Sequence, residues 1–249
     1  MSIELVDVQK AFGSNQVLKG FNLSIQEGET ISVIGGSGSG KSVALKHIVA
    51  LLRPDDGDVW VDGENVARLD QESVYEMRRK VGYVFQFAAL FDSMTVDENV
   101  GMGLRRIPDM TEAQIKDRVA ECLDLVDLEG RGDRFPSELS GGQRKRIGFA
   151  RAIATRPKYL LYDEPTTGLD PVTTAVIDDL IVRMSDRLGV TGVVITHDMK
   201  SAFRISDRIA MLYDGRIRTE GTPDQVRAST DPIVRGFIEG KPELMAGAE

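Results

Sequence analysis

Residues 35–42 read Gly-Gly-Ser-Gly-Ser-Gly-Lys-Ser and satisfy the spacing G-x-x-x-x-G-K-[ST]. The residue types state the chemistry. Gly35, Gly36, Gly38 and Gly40, with Ser37 and Ser39 between them, let the backbone curl until successive N–H groups face one anion. Lys41 sets a point charge beside the β- and γ-phosphates of a nucleotide, and Ser42 offers a hydroxyl to Mg²⁺. A second group lies at 158–164, Lys-Tyr-Leu-Leu-Tyr-Asp-Glu, an apolar strand ending in two acids. Asp163 is suited to the Mg²⁺ shell, and Glu164 to polarising an attacking water. Two acids at a strand edge are common as solvated charges. Behind a complete phosphate loop they read as the hydrolytic pair.

The flanking elements must position these groups. Thr30 to Ile34 is a buried-strand pattern entering the phosphate loop, and Val43 to Leu52 is apolar on a helical face leaving it. That order aims a helix N-terminus at phosphate. Earlier strands are expected at 3–8 and 17–25, a hairpin near 57–63, a helix at 71–79 and a strand at 81–85. From about 87 to 157 the pattern turns helical. Thr111 to Gln114 has capping-box spacing, and Ile115, Val119, Cys122, Leu123 and Val126 share one apolar face. Another helix opens at Ser140. A strand at 158–162 leads to a helix capped by Asp170-Pro171, lined by Ile177, Ile181, Met184 and Leu188 and ended by Gly189. A strand at 192–196, a short helix from Met199 and a hairpin around Asp214-Gly215 follow.

Composition narrows the classes. The chain has 249 residues, 41% hydrophobic and 28% charged, with a net charge of −8. That suits one large domain or two joined lobes, and the acidic balance with short basic clusters argues against a nucleic-acid partner. Cys122 is the only cysteine, which excludes an internal disulfide and fits a reducing compartment. The N-terminus MSIELVDVQK is not a signal-peptide pattern, and the apolar runs are shorter than a membrane span. Any membrane role is therefore expected to run through a partner.

Residues 139–143, Leu-Ser-Gly-Gly-Gln, lie between the phosphate loop and the acidic strand. In that place they resemble the signature of the ATP-binding cassette (ABC) ATPases. The resemblance covers residues 3–239 and implies a fold: an α/β P-loop NTPase (RecA-like) core at about 1–86 and 158–220. To that core it adds an N-terminal antiparallel β subdomain, an inserted α-helical subdomain at about 87–157 and a C-terminal tail at 240–249. It also implies roles. Ser140, Gly141, Gly142 and Gln143 reach the γ-phosphate held by a second subunit. Gln86 touches Mg²⁺ and water, His197 contacts the γ-phosphate, Asp170 lies in the loop crossing the dimer interface, and Phe12 stacks on adenine. Many relatives have tyrosine there; phenylalanine keeps the π-face. The implied cofactors are ATP and Mg²⁺.

Residues 85–100 and 141–152, and Gly36 and Val43 in the phosphate loop, further resemble the Mla-type lipid-transport ATPases. That resemblance implies a homodimer on the cytoplasmic face of the inner membrane, energising phospholipid transport that maintains outer-membrane lipid asymmetry. It implies an integral-membrane permease, an MCE-domain lipid-binding protein and a small accessory subunit as partners. The alternatives are an importer ATPase for another substrate and a soluble cassette. Translation-type cassettes usually come two to a chain. Chromosome-type ones place a long coiled coil before the signature, whereas here about a hundred residues without heptads intervene.

Overall fold

The computed structural model describes residues 3–245; Met1 and Ser2, and residues 246–249 of the expected tail, lie outside the described residues. In chain order the elements begin with β1 (Ile3–Phe12), β2 (Asn15–Ile25), β3 (Thr30–Ile34), α1 (Lys41–Ile48), β4 (Asp56–Val61), β5 (Glu64–Asn65), α2 (Gln71–Arg79) and β6 (Val81–Val84). Next come α3 (Val96–Gly101), α4 (Glu112–Leu125), α5 (Gly141–Ile153), β7 (Tyr159–Asp163) and α6 (Pro171–Leu188). The chain continues through β8 (Thr191–Thr196), α7 (Met199–Ile205), β9 (Arg208–Tyr213), β10 (Arg216–Gly221), α8 (Pro223–Arg227), α9 (Pro232–Glu239) and α10 (Pro242–Met245). Contacts divide it into two compact units, residues up to 77 together with those from 191, and residues 78–190.

The first unit holds an antiparallel sheet in the order β2-β1-β4-β5, with Ile3 opposite Ile25 and Val61. It also holds β10-β9-β3-β8, in which β3 runs parallel to both β8 and β9. Every residue of β3 and β8 is buried, as expected of parallel strands covered on both faces. Ile34, Met211, Ile209, Val226 and Val234 pack beside them as one apolar cluster with Ala202 and Ile233.

In the second unit β6 and β7 run parallel, Val81 opposite Tyr159. The helices begin where local chemistry places them. Thr95, Thr111 and Ser140 each close a reciprocal capping box, so orphan N–H groups at the starts of α3, α4 and α5 are satisfied. The α4 face is buried as expected, and desolvation pushes the Cys122 thiol up to about 11. In α6 Ile177, Ile181 and Met184 are 0–1% exposed, but Leu188 is 37% exposed, against the expected stripe. Leu188 is the last helical residue. Gly189, left-handed at φ 61, turns the chain there, and Leu188 comes to line a groove with Ile153 and Val190 instead. Leu180, outside the expected stripe, is fully buried as well.

Candidate active site

In the first unit the β3–β8 register sets the geometry. Ile34 lies opposite Thr196, so Gly35 and His197 leave the same ends of neighbouring parallel strands. The phosphate loop then needs its glycines. A Cβ on Gly35 would stand 2.5 Å from the Leu212 carbonyl oxygen and 2.9 Å from Ser39 Oγ, so only glycine fits there. Lys41 is 6% exposed, and its Nζ donates to the Gly35 and Gly36 carbonyls at 2.8 and 2.9 Å. The ammonium is thereby held inside the loop it serves.

Two observations show that this loop fits a phosphate ligand. Ser39 Oγ is buried and has no hydrogen-bond partner among the described residues, and no side chain caps the N-terminus of α1. A buried donor without a partner costs about 1–3 kcal/mol, which a phosphate oxygen would recover. Among the described residues no group of three His, Cys, Asp or Glu is clustered for a metal. A hydroxyl, one or two carboxylates and phosphate oxygens are the ligand set that Mg²⁺ accepts; the first unit carries the Ser42 hydroxyl, and the second carries the Asp163 carboxylate. Phe12 ends β1 with its ring 49% exposed and Lys10 Nζ 5.7 Å from the ring centroid. It is an open aromatic face rather than a core residue. His47, by contrast, is buried, its Nδ1 bonded to the Val43 carbonyl at 2.7 Å.

The second unit carries the acids. Val84 lies opposite Tyr162, so Gln86 and the Asp163-Glu164 pair leave the same ends of β6 and β7. The Tyr83 hydroxyl donates to Asp163 Oδ2 at 3.0 Å. Burial, then the Asp163 charge, raises that phenol well above its usual range, so it remains a donor. Glu164 has a left-handed φ of 50 immediately before Pro165, a backbone state that L-residues avoid. Thr167 Oγ1 donates to Glu164 Oε2 at 3.0 Å, which orients the carboxylate. Asp170 caps α6 through Val172 N and Thr173 N, both at 3.0 Å; the Thr173 hydroxyl hydrogen bond holds its carboxyl below the usual range.

At the signature, Ser140 Oγ accepts from Gln143 N at 3.2 Å and Gln143 Oε1 accepts from Ser140 N at 2.9 Å. Capping thus uses a lone pair of Ser140 and leaves its exposed O–H to donate. A Cβ on Gly142 would stand 2.6 Å from the Thr173 methyl, so the second glycine lets α5 approach the start of α6.

Several residues that serve these groups were not singled out in the sequence. Lys145 Nζ donates to the Pro165 and Thr167 carbonyls at 2.7 and 2.9 Å. Arg151 donates to the Ala88 and Ala89 carbonyls, each at 2.6 Å. Asn99, fully buried, accepts from Phe91 N and donates to the Phe91, Met94 and Thr95 carbonyls. In the sequence Lys145 and Arg151 show only as cations in and after the basic run Arg144-Lys145-Arg146 that follows the signature. Beyond Gln86, Phe87 is 82% and Phe91 49% exposed, and Leu90 is half-buried. Among the described residues no helix is long and apolar enough to cross a membrane.

A family profile described as ABC transporter matches residues 18–167. The chain belongs to the ABC transporter family. It is 43% identical over 255 residues to the chloroplastic protein trigalactosyldiacylglycerol 3 of Arabidopsis thaliana, covering 96% of this chain and 73% of that one. It is 44% identical over 218 residues to the methionine import ATP-binding protein MetN of Carboxydothermus hydrogenoformans, covering 87% and 64%. This chain therefore spans between 64% and 73% of the length of these two relatives. Among solved structures it resembles the dimeric ATP-binding cassette MJ0796 bound to ADP and Pi. The TM-score is 0.81 at 36% identity, covering 89% of this chain and 98% of that one. The fold is that of the ABC ATPases, α/β with an antiparallel-sheet subdomain and a helical insertion. As a member of this family the chain is an ATPase that uses ATP with Mg²⁺ and couples hydrolysis to transport.

Proposed function

We propose that this chain energises phospholipid transport that maintains outer-membrane lipid asymmetry, through a separate permease. The observation that carries the reading is the 43% identity, over 96% of this chain, to a relative named for a galactosyl diacylglycerol lipid. The Mla-type resemblance of residues 85–100 and 141–152 supports it. In this reading the cassette occupies residues 3–239 as a core at about 1–86 and 158–220 with a helical subdomain at about 87–157. It works as a homodimer, peripheral on the cytoplasmic face of the inner membrane, with an MCE-domain protein and a small accessory subunit in the assembly. The dimeric form of the solved relative supports the oligomeric state.

Bound Mg²⁺–ATP supplies the electrophilic phosphorus and neutralises part of the phosphate charge. The chain's residues do the rest. Phe12 stacks on the base, residues 35–42 bind the phosphates, and Lys41 offsets their charge. Ser42, Gln86 and Asp163 hold the metal. Glu164 takes a proton from the attacking water, and His197 steadies the γ-phosphate. Ser140 to Gln143 close the site of the other subunit, with Asp170 in the loop at the interface. Positioning and charge carry most of the acceleration. Glu164→Gln keeps the size and removes the base, so turnover should fall about 10²–10⁴-fold with ATP still bound.

The exposed Phe87 and Phe91, with Leu90, form the docking surface for the permease, because an exposed apolar cluster marks an interface. Phe91→Asp should leave the isolated ATPase folded and able to bind ATP, yet release it from the permease. Cells carrying it, or lacking the chain, should show altered envelope lipid asymmetry and detergent sensitivity. A second reading, import of a small solute, is favoured by the 44% identity to the methionine importer subunit. Normal lipid distribution in a clean deletion, with loss of uptake of a small solute, would replace the first reading with the second.

A further inference from the structure

The helix that begins at the signature also touches the loop that carries the base. Lys145 lies in the second turn of α5, 8% exposed. Its Nζ reaches out of the helix to two carbonyls, Pro165 at 2.7 Å and Thr167 at 2.9 Å. Those residues belong to a tight turn, 164–167, in which Thr167 N donates to the Glu164 carbonyl at 3.3 Å and Thr167 Oγ1 donates to Glu164 Oε2 at 3.0 Å. Glu164 itself sits at φ 50 before a proline, a conformation that persists only where its surroundings impose it. Pro165 is buried, as is Thr166 beside it, so the Pro165 carbonyl has little access to water in place of the lysine, while Thr167 is half-buried.

We propose that Lys145 is a positioning residue for hydrolysis: its ammonium clamps the Pro165–Thr167 backbone to α5, and so holds the Glu164 carboxylate at its working angle and makes it move with the signature helix. The proposal rests on the reading of Glu164 as the base. The clamp is charge-assisted, and charge-assisted hydrogen bonds are roughly twice as strong as neutral ones. Burial pushes the Lys145 ammonium down to about 8, opposed by the negative charge of Glu164. Among the described residues Glu164 is the charged group whose field acts on it. The neighbouring Arg144 and Arg146 direct their guanidinium groups elsewhere, to the Leu139 carbonyl and to the Val126 and Asp127 carbonyls. The clamp is therefore charged on the acid side of about pH 8 and loses its charge as pH rises through that value.

The test is steady-state ATP hydrolysis by the full chain, with Lys145→Met, Lys145→Arg and Glu164→Gln measured in parallel. Lys145→Met keeps the length and volume and removes the donors. It should lower kcat about 10–100-fold, the cost of a misplaced reacting group, with KM for ATP within about twofold of wild type. Wild-type kcat should decline above pH about 8, and Lys145→Arg, which stays charged, should lack that alkaline limb. A folded Lys145→Met with kcat within about twofold of wild type would overturn the clamp. If Lys145→Met fails to fold, the arginine variant decides: an unchanged alkaline limb in it overturns the proposal. Normal turnover by Glu164→Gln would instead overturn the assigned base, so the two failures are told apart.

Discussion

Replacing Arg151 by methionine should loosen the segment behind Gln86 without unfolding the chain. Arg151 donates to the Ala88 and Ala89 carbonyls, each at 2.6 Å. Hydrogen bonds to a charged group contribute about 1.5–3 kcal/mol each. Ala89 is exposed, so its carbonyl regains water; Ala88 is 2% exposed, so the loss falls mainly there, about 2–3 kcal/mol. Against that stands the backbone. Ala88 and Ala89 are both left-handed, at φ 60 and 48, a state costing roughly 1–2 kcal/mol per residue. Relaxation of the two alanines offsets most of the lost bonds. The net destabilisation should stay under about 2 kcal/mol, or under about 8 °C in Tm for a chain of this size. The local effect is larger. The Ala88 amide, bonded to the Phe85 carbonyl at 3.0 Å, should exchange with solvent about 10–100-fold faster. The Phe91 amide, bonded to Asn99 Oδ1 at 2.8 Å, should keep its rate, because Asn99 holds it independently of Arg151. Amide exchange followed by NMR or mass spectrometry reads both. An unchanged Ala88 rate, or equal acceleration of Ala88 and Phe91, would refute the local hold of Arg151 on Ala88 and Ala89, the second outcome by showing global rather than local opening.

Two further outcomes follow from burial. His47 is 1% exposed, and desolvation lowers its pKa below the usual 6.5, so the folded chain binds this proton less readily than the unfolded one. Stability should be flat on this account above pH 6.5 and fall as pH drops below it; His47→Gln should reduce that slope in urea titrations, and an unchanged slope would reject the assignment. In α6, Ile181→Ala should cost about 2–5 kcal/mol and Leu188→Ala under about 1.5 kcal/mol, because Ile181 is buried and Leu188 is not; equal losses by denaturant unfolding would show that Leu188 is packed.

What the sequence determined by itself was whatever rests on neighbours along the chain. The phosphate loop is eight consecutive residues, and its backbone course follows from glycines at set spacing. The capping boxes at Thr111 and Ser140 join residues three apart, and Asp170, Pro171 and Gly189 mark the ends of α6 in the same local way. The burial of Ile115, Val119 and Cys122 follows from helical period alone. The contacts that hold the site in shape are of another kind. Lys145 meets residues 20 and 22 positions away, and Arg151 meets residues 62 and 63 positions away. In sequence each is one cation on a basic helix, indistinguishable from Arg144 or Arg146. Only packing removes water from around Lys145 and Arg151 and leaves backbone carbonyls as their partners. The same holds for Leu188, whose periodicity promised burial that the end of α6 withholds, and for the left-handed Glu164, which no local rule favours before a proline. Local hydrogen bonding and periodicity are encoded within a few residues; desolvation is decided only when distant segments close over a group.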